Sequence, residues 1–187
     1  MSDSSLIYLV RHGEAAARWG QSADPGLSEL GLRQAKAAAE GLEAQLTASE
    51  ISLVSSPLLR AQETAGPLAE RLATSVTIDE RFREIPSPVP LAQRQDWLRG
   101  FMRQEWTVQH ESLHAWRESI VQAVEQLPGS TVVFTHFLVI NALVGWYTQR
   151  EETLVFWPDN ASITVLERSP SQISVSVLGD QMSTVVN

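Results

Sequence analysis

Three stretches constrain this chain more than any other feature: "LIYLV" (6–10), "ISLV" (51–54) and "TVVFT" (131–135). Each is short, β-favouring and apolar at consecutive positions instead of alternate ones. A strand of that kind must be covered on both faces. Helical patterns separate the three, which leaves room for the crossover connections that parallel strands need. The expected fold class is therefore α/β: a three-layer sandwich with a mainly parallel central sheet and helices on both faces. The alternating runs "ASITVLER" and "ISVSVLGD", joined by "SPSQ", add an antiparallel hairpin near the C-terminus.

The intervening segments fit that scheme. "LSELGLRQAKAAAEGLEAQL" (27–46) sets Leu27, Leu30, Ala35, Ala38, Leu42 and Leu46 near helical spacing, with Ser28 as N-cap. "PLLRAQETAGPLAERL" (57–72) predicts a helix with Pro57 in its first turn, Ser56 as cap and a kink or break at Pro67. "TSVTI" (74–78) is a short strand, and the prolines of "REIPSPVPLAQ" (83–93) call for an extended loop. Helices are expected over 92–105 and 109–127, bearing Trp97, Trp106 and Trp116, and again over "FLVINALVGWY" (137–147). At 187 residues the chain suits one domain, 1–187, with a helical lid-like insertion at about 86–127.

Composition removes several classes of function. Hydrophobic residues at 43% and charged residues at 19% describe an ordinary globular protein. No apolar run approaches the roughly 20 residues of a membrane helix. "MSDSSLIYLVRHG" has no basic n-region and too short an apolar segment for a signal peptide. There is no cysteine, so disulfides and thiol chemistry are excluded, which fits a cytoplasmic location. A net charge of −8 argues against nucleic acid or an anionic membrane as partner. Lys36 is the sole lysine, and no Walker-type loop is present. If this chain holds a phosphate, arginine does it.

The strand ends point the same way. One strand runs into Arg11-His12, one into Ser55-Ser56 and one into Thr135-His136. Parallel strands in one sheet bring all three ends to one edge, where open α/β sheets place ligands. Arg60 follows the second strand by about one helical turn, near a helix N-terminus that already favours anions. Arginine's planar fork suits phosphate oxygens and stays charged. The residues alone give an anion site with a reactive imidazole, in which histidine is either a donor or a nucleophile.

In order along the chain, "LVRHGEA", "LSELGLRQA", "SSPLLRAQETA", "RFREI" and "VVFTHF" resemble the histidine phosphatase superfamily, also called phosphoglycerate-mutase-like. The resemblance covers nearly the whole chain. It implies that His12 is the phosphorylated nucleophile and that Arg11, Arg60 and His136 clamp the phosphoryl oxygens. It also implies that Glu84, in "RFREI", is the proton donor. The implied reaction has two steps, attack of His12 on phosphorus and hydrolysis of the phosphohistidine, on a small phosphorylated molecule. No metal or other cofactor is expected, because two arginines and His136 supply the positive charge.

Some positions depart from the family pattern. Phe137 stands where many members place glycine after the second histidine, which makes the pocket wall there apolar. Arg18 stands where members often carry asparagine, adding a cation to the rim as a further substrate contact. "PSPVP" replaces the continuation seen in mutases and, with the short length, counts against mutase activity. Other readings fare worse. A phosphohistidine phosphatase would tend to lack the acid, whereas Glu84 is present. A non-catalytic phosphate-binding module would not need every chemical position filled. "HESLH" (110–114) fits a zinc-protease pattern, but the remaining histidines stand at distant strand ends and cannot complete the coordination. Trp97, Trp106 and Trp116 could fold over the crevice and favour an aromatic ester; the simpler expectation is that they pack the lid onto the sheet.

Overall fold

The computed structural model describes residues 4–17, 22, 24–46 and 50–182. Six strands form one sheet: β1 (Ser5–Arg11), β2 (Ser52–Ser55), β3 (Val76–Ile78), β4 (Thr131–Thr135), β5 (Ile163–Arg168) and β6 (Ile173–Val177). Their order is β3-β2-β4-β1-β5-β6. The first four strands run parallel, with β4 between β2 and β1, whereas β5 and β6 pair antiparallel at one side. The register sets Arg11 beside Thr135 and Ser55 beside Phe134. The three strand ends therefore share one edge, as their sequences require.

The described residues form five α-helices, α1 (Glu29–Gln45), α2 (Leu59–Arg71), α3 (Arg94–Phe101), α4 (Glu111–Glu125) and α5 (Phe137–Tyr147), of which all but α3 pack directly on the sheet. Strand pleating sends alternate side chains to opposite faces. Tyr8, Val10, Leu53, Val132 and Phe134 meet Ala39, Leu42, Ala65 and Leu68 of α1 and α2. Ile7, Leu9, Val54 and Val133 meet Ile120, Val124, Ile140 and Leu143 of α4 and α5. α5 is apolar all round because both sides are covered: a third cluster, with Leu98, Phe101, Trp106 and Leu113, packs on Phe137, Leu138 and Ala142.

Local details depart from expectation in four places. α2 runs unbroken from Leu59 to Arg71 with Pro67 inside it. Its apolar stripe, Ala61, Ala65 and Leu68, is fully buried, and that packing outweighs the roughly 3 kcal/mol an internal proline costs. Ser56 is not the cap of α2: the N-cap is Leu58, and the Ser56 hydroxyl accepts from the Leu58 N–H at 3.2 Å one turn earlier. The helix expected over 92–105 shrinks to Arg94–Phe101, flanked by 3₁₀ turns at Leu91–Gln93 and Trp106–Val108. His110 lies just outside α4 as its N-cap, its ring Nδ1 accepting from Ser112 N–H at 3.2 Å. "HESLH" is thus a capped helix start. Among the described residues no helix is long and apolar enough to cross a membrane.

Candidate active site

Each strand end delivers its side chains through identifiable bonds. Beyond β1, His12 N–H donates to Thr135 O at 3.0 Å, and Gly13 N–H donates to the Thr64 hydroxyl of α2 at 3.0 Å. Glu14 N–H donates to Gln34 Oε1 at 2.8 Å, and the Ser28 hydroxyl, which caps α1, donates to Glu14 Oε1 at 2.6 Å. The loop lies so close to α1 that a Cβ on Gly13 would stand 2.6 Å from Gly31 O. Glycine at 13 is therefore a steric requirement of how His12 is held.

The His12 ring is oriented from behind. Its Nδ1 donates to Gly13 O at 2.7 Å, which leaves Nε2 as the unprotonated nitrogen. Arg60 Nε donates to that Nε2 at 3.2 Å, and Arg60 Nη1 stands 3.8 Å from Asp24 Oδ1. Burial, reinforced by Arg60 and Arg11, pushes His12 down to about 3, so the imidazole is neutral at ordinary pH. Arg11 donates to Pro158 O at 2.8 Å and lies 5.1 Å from the Phe137 ring centre. Burial brings Arg11 down to about 10, which still leaves it charged at neutral pH.

His136 stands behind His12, with ring centres 5.3 Å apart, and its Nε2 meets the Ser56 hydroxyl at 2.7 Å. The Ser56 hydroxyl thus bridges His136 Nε2 and Leu58 N–H, from which it accepts at 3.2 Å. His136 Nδ1, the other ring nitrogen, is buried and has no partner among the described residues. Arg11 Nε is likewise buried and has no partner among the described residues. Buried polar atoms without a partner are rare in folded proteins, and two such nitrogens beside the His12 ring make a place for an anion.

Glu84 approaches from the segment after β3. Thr135 donates its hydroxyl to Phe82 O at 2.8 Å, Trp116 Nε1 donates to Arg83 O at 3.4 Å, and Arg94 donates to Ile85 O at 3.1 Å. These bonds fix the backbone on both sides of Glu84. The carboxyl accepts from its neighbour Ile85 N–H at 3.0 Å. Burial raises its pKa, and the Ile85 amide, Arg60 and Arg94 oppose that rise.

A crevice of about 430 Å³ opens in front of these groups. Arg11, His12, Arg60 and Glu84 line it. His136 is fully buried behind it, and Phe137 does not line it. The expectation of an apolar wall at Phe137 is corrected here: the ring turns into the lid cluster, 5.5 Å from Trp157 and beneath Arg11. Arg18 lies outside the described residues. None of Trp97, Trp106 and Trp116 faces the crevice. Trp97 stacks on Phe101, and Trp106 packs between Phe101 and Trp116 with Arg117 4.3 Å from its ring centre.

Sequence reasoning missed several residues. Thr64 and Ser56 act only through the site's other members, although the buried polar positions in "SSPLLRAQETA" were a signal. Asn141, a lone amide in an apolar helix, accepts from Val155 and Phe156 N–H at 2.8 and 3.1 Å. It thereby anchors the loop that carries Pro158 to Arg11. Arg94, Gln95 and Asn160 line the crevice without any motif to announce them, and Arg83 lines it from within "RFREI", where only Glu84 was singled out.

Known proteins share this architecture. The profile of the histidine phosphatase superfamily (branch 1) matches residues 7–181. Over 83 residues, 42% of this chain, the sequence is 37% identical to the probable phosphoglycerate mutase GpmB of Yersinia pestis. That alignment spans 37% of the relative's own length. A mycobacterial glucosyl-3-phosphoglycerate phosphatase, solved with inorganic phosphate, is 26% identical with a TM-score of 0.71. The match covers 95% of this chain and 98% of that one. A phosphoglycerate mutase from Bacillus anthracis shares the fold with a TM-score of 0.75 at 18% identity, over 96% of this chain and 94% of that one.

Proposed function

Because this chain belongs to the histidine phosphatase superfamily, we propose that it hydrolyses phosphomonoesters through a phosphohistidine on His12, without a metal. The single observation that carries the reading is the His12 tautomer. Gly13 O holds the proton on Nδ1, so Nε2 carries the lone pair of a residue that lines the crevice.

In the first step Nε2 attacks phosphorus and the bond from phosphorus to the ester oxygen breaks. Glu84, whose pKa burial raises, gives a proton to the departing oxygen. In the second step Glu84, now a carboxylate, takes a proton from water as the water attacks phosphorus. The N–P bond breaks and His12 returns to its starting tautomer. Arg60, which rests on Nε2 in the free protein, moves its donors onto the phosphoryl oxygens together with Arg11. His136 meets a further oxygen through Nδ1, which has no partner among the described residues and acts as a donor there when it carries the ring proton. The two guanidiniums supply the charge that a metal supplies in other phosphatases.

Glu84 also favours an oxygen ester over phosphohistidine as substrate, since an imidazole leaving group depends less on an acid. The test is hydrolysis of p-nitrophenyl phosphate in excess EDTA by the native protein and by His12→Ala. Turnover that survives EDTA and disappears in His12→Ala is expected. Turnover that EDTA abolishes and His12→Ala spares overturns the reading.

A further inference from the structure

The chain has no cysteine and three methionines, so thioethers are its only oxidisable sulfurs. Met1 lies outside the described residues, and Met102 packs half-buried against the lid cluster. Met182 is 38% exposed, and its Sδ accepts from Arg11 Nη1 at 3.4 Å.

That contact completes the anchoring of Arg11. Its Nη1 donates to Pro158 O at 2.8 Å and to Met182 Sδ, whereas Nε and Nη2 make no hydrogen bond among the described residues. Nε and Nη2 thus keep the two-pronged edge that holds phosphoryl oxygens. Both anchors of Nη1 stand on paired backbone: Pro158 bridges to Gln181, and Met182 N–H donates to Trp157 O at 2.9 Å. A thioether is a weak acceptor, so Met182 steadies the guanidinium without holding it tightly.

We infer that Met182 is a modification site, at which a hydroperoxide forms the sulfoxide and thereby disturbs the Arg11 clamp. One oxygen atom passes from the peroxide to Sδ; the O–O bond breaks and an S–O bond forms. The sulfur loses two electrons, and hydrogen peroxide is reduced to water. The product is polar where the thioether was apolar. An oxygen aimed at Nη1 needs about 2.9 Å of its own for a hydrogen bond, and Sδ is already only 3.4 Å away. The guanidinium or the 179–182 segment must then shift. An oxygen turned to solvent instead leaves a partly positive sulfur against the guanidinium. Either way the clamp moves.

The catalytic readout of this inference rests on the phosphohistidine reading, and the binding readout does not. The whole protein is treated with hydrogen peroxide and its sulfoxides are mapped by peptide mass spectrometry. Affinity for inorganic phosphate is then measured by calorimetry, and kcat/KM on p-nitrophenyl phosphate. Oxidation of Met182 is expected to lower each by about tenfold, since a 1 Å misplacement can cost about a hundredfold. Methionine sulfoxide reductases with dithiothreitol should restore both, which they could not do for oxidised tryptophan. Met182→Leu gives up a weak acceptor, costs about threefold or less, and should not respond to peroxide. Met182→Gln, with an amide oxygen near the sulfoxide's place, should show the loss without peroxide, and Met102→Leu should respond as the native protein does. Unchanged phosphate affinity after Met182 is oxidised, a loss that persists in Met182→Leu, or an untreated protein that binds no phosphate overturns the inference. Phosphate affinity that falls on oxidation of a protein that hydrolyses no ester overturns the phosphatase reading and leaves the Met182 site standing.

Discussion

Thr64→Val is the substitution that most sharply separates the framework of the site from its chemistry. Thr64 is 1% exposed, accepts from Gly13 N–H at 3.0 Å and donates to Arg60 O at 2.7 Å. Valine has the same shape and the same β-branch, so packing is conserved and only the hydroxyl is lost. Gly13 N–H is then left buried without an acceptor, in a loop packed closely against Gly31. An unsatisfied buried donor costs about 1–3 kcal/mol. For a chain of this size, about 2 kcal/mol lowers the melting temperature by roughly 4–8 °C. Gly13 O orients the His12 ring, so kcat should also fall, by about tenfold or more, since misplacing a reacting group by 1 Å can cost about a hundredfold. Thr64→Ser keeps the hydroxyl and loses one methyl, which costs about 1 kcal/mol. The assay is a thermal melt with p-nitrophenyl phosphate hydrolysis on all three proteins. If Thr64→Val melts no lower than Thr64→Ser and keeps full kcat, the proposed coupling of α2 to the His12 loop is wrong.

Three further outcomes follow from the same geometry. Glu84→Gln should cut kcat on alkyl phosphates by about 10²–10⁴, and far less on p-nitrophenyl phosphate, whose leaving group needs little protonation. In steady-state pH profiles, phosphorylation by the native protein should slow as pH rises through the raised Glu84 pKa, and Glu84→Gln should lack that limb. His12 is depressed in the folded state, so the unfolded chain takes up its proton first and stability is lost as pH falls below about 6.5. From pH 7 to pH 5 this removes about 2 kcal/mol. Denaturant titrations at both pH values should therefore show a smaller acid loss for His12→Asn than for the native protein, and an equal loss would refute the assignment.

Much of the fold was legible because its signals are long and redundant. Consecutive apolar residues at 6–10 and 131–134 can only be strands covered twice, and both are. Ser28 caps α1 as its spacing requires, since Gly31 N–H donates to its hydroxyl at 3.0 Å. What failed was local preference opposed by tertiary contact. Pro67 did not break α2, because its neighbours Ala65 and Leu68 are pinned to the sheet. Ser56 fits the composition of a cap, but its hydroxyl is drawn to His136. Strand ends announced His12, Arg60 and His136 through position in the chain. Arg94 gave no such signal, because a helical arginine that faces a crevice has the same sequence as one that faces water. Its place at the crevice depends on the path of the 86–93 loop, which three prolines make extended without fixing its direction.

The central claim is the transient bond between phosphorus and His12 Nε2. The most direct test is to mix the protein with a phosphomonoester, quench in alkali during turnover, and map the product by peptide mass spectrometry. A single phosphoryl group on the peptide carrying His12, on the ring nitrogen remote from the backbone and absent from His12→Ala, is the result this account predicts. A phosphoryl group on another residue, or turnover with no phosphoenzyme at any quench time, contradicts it.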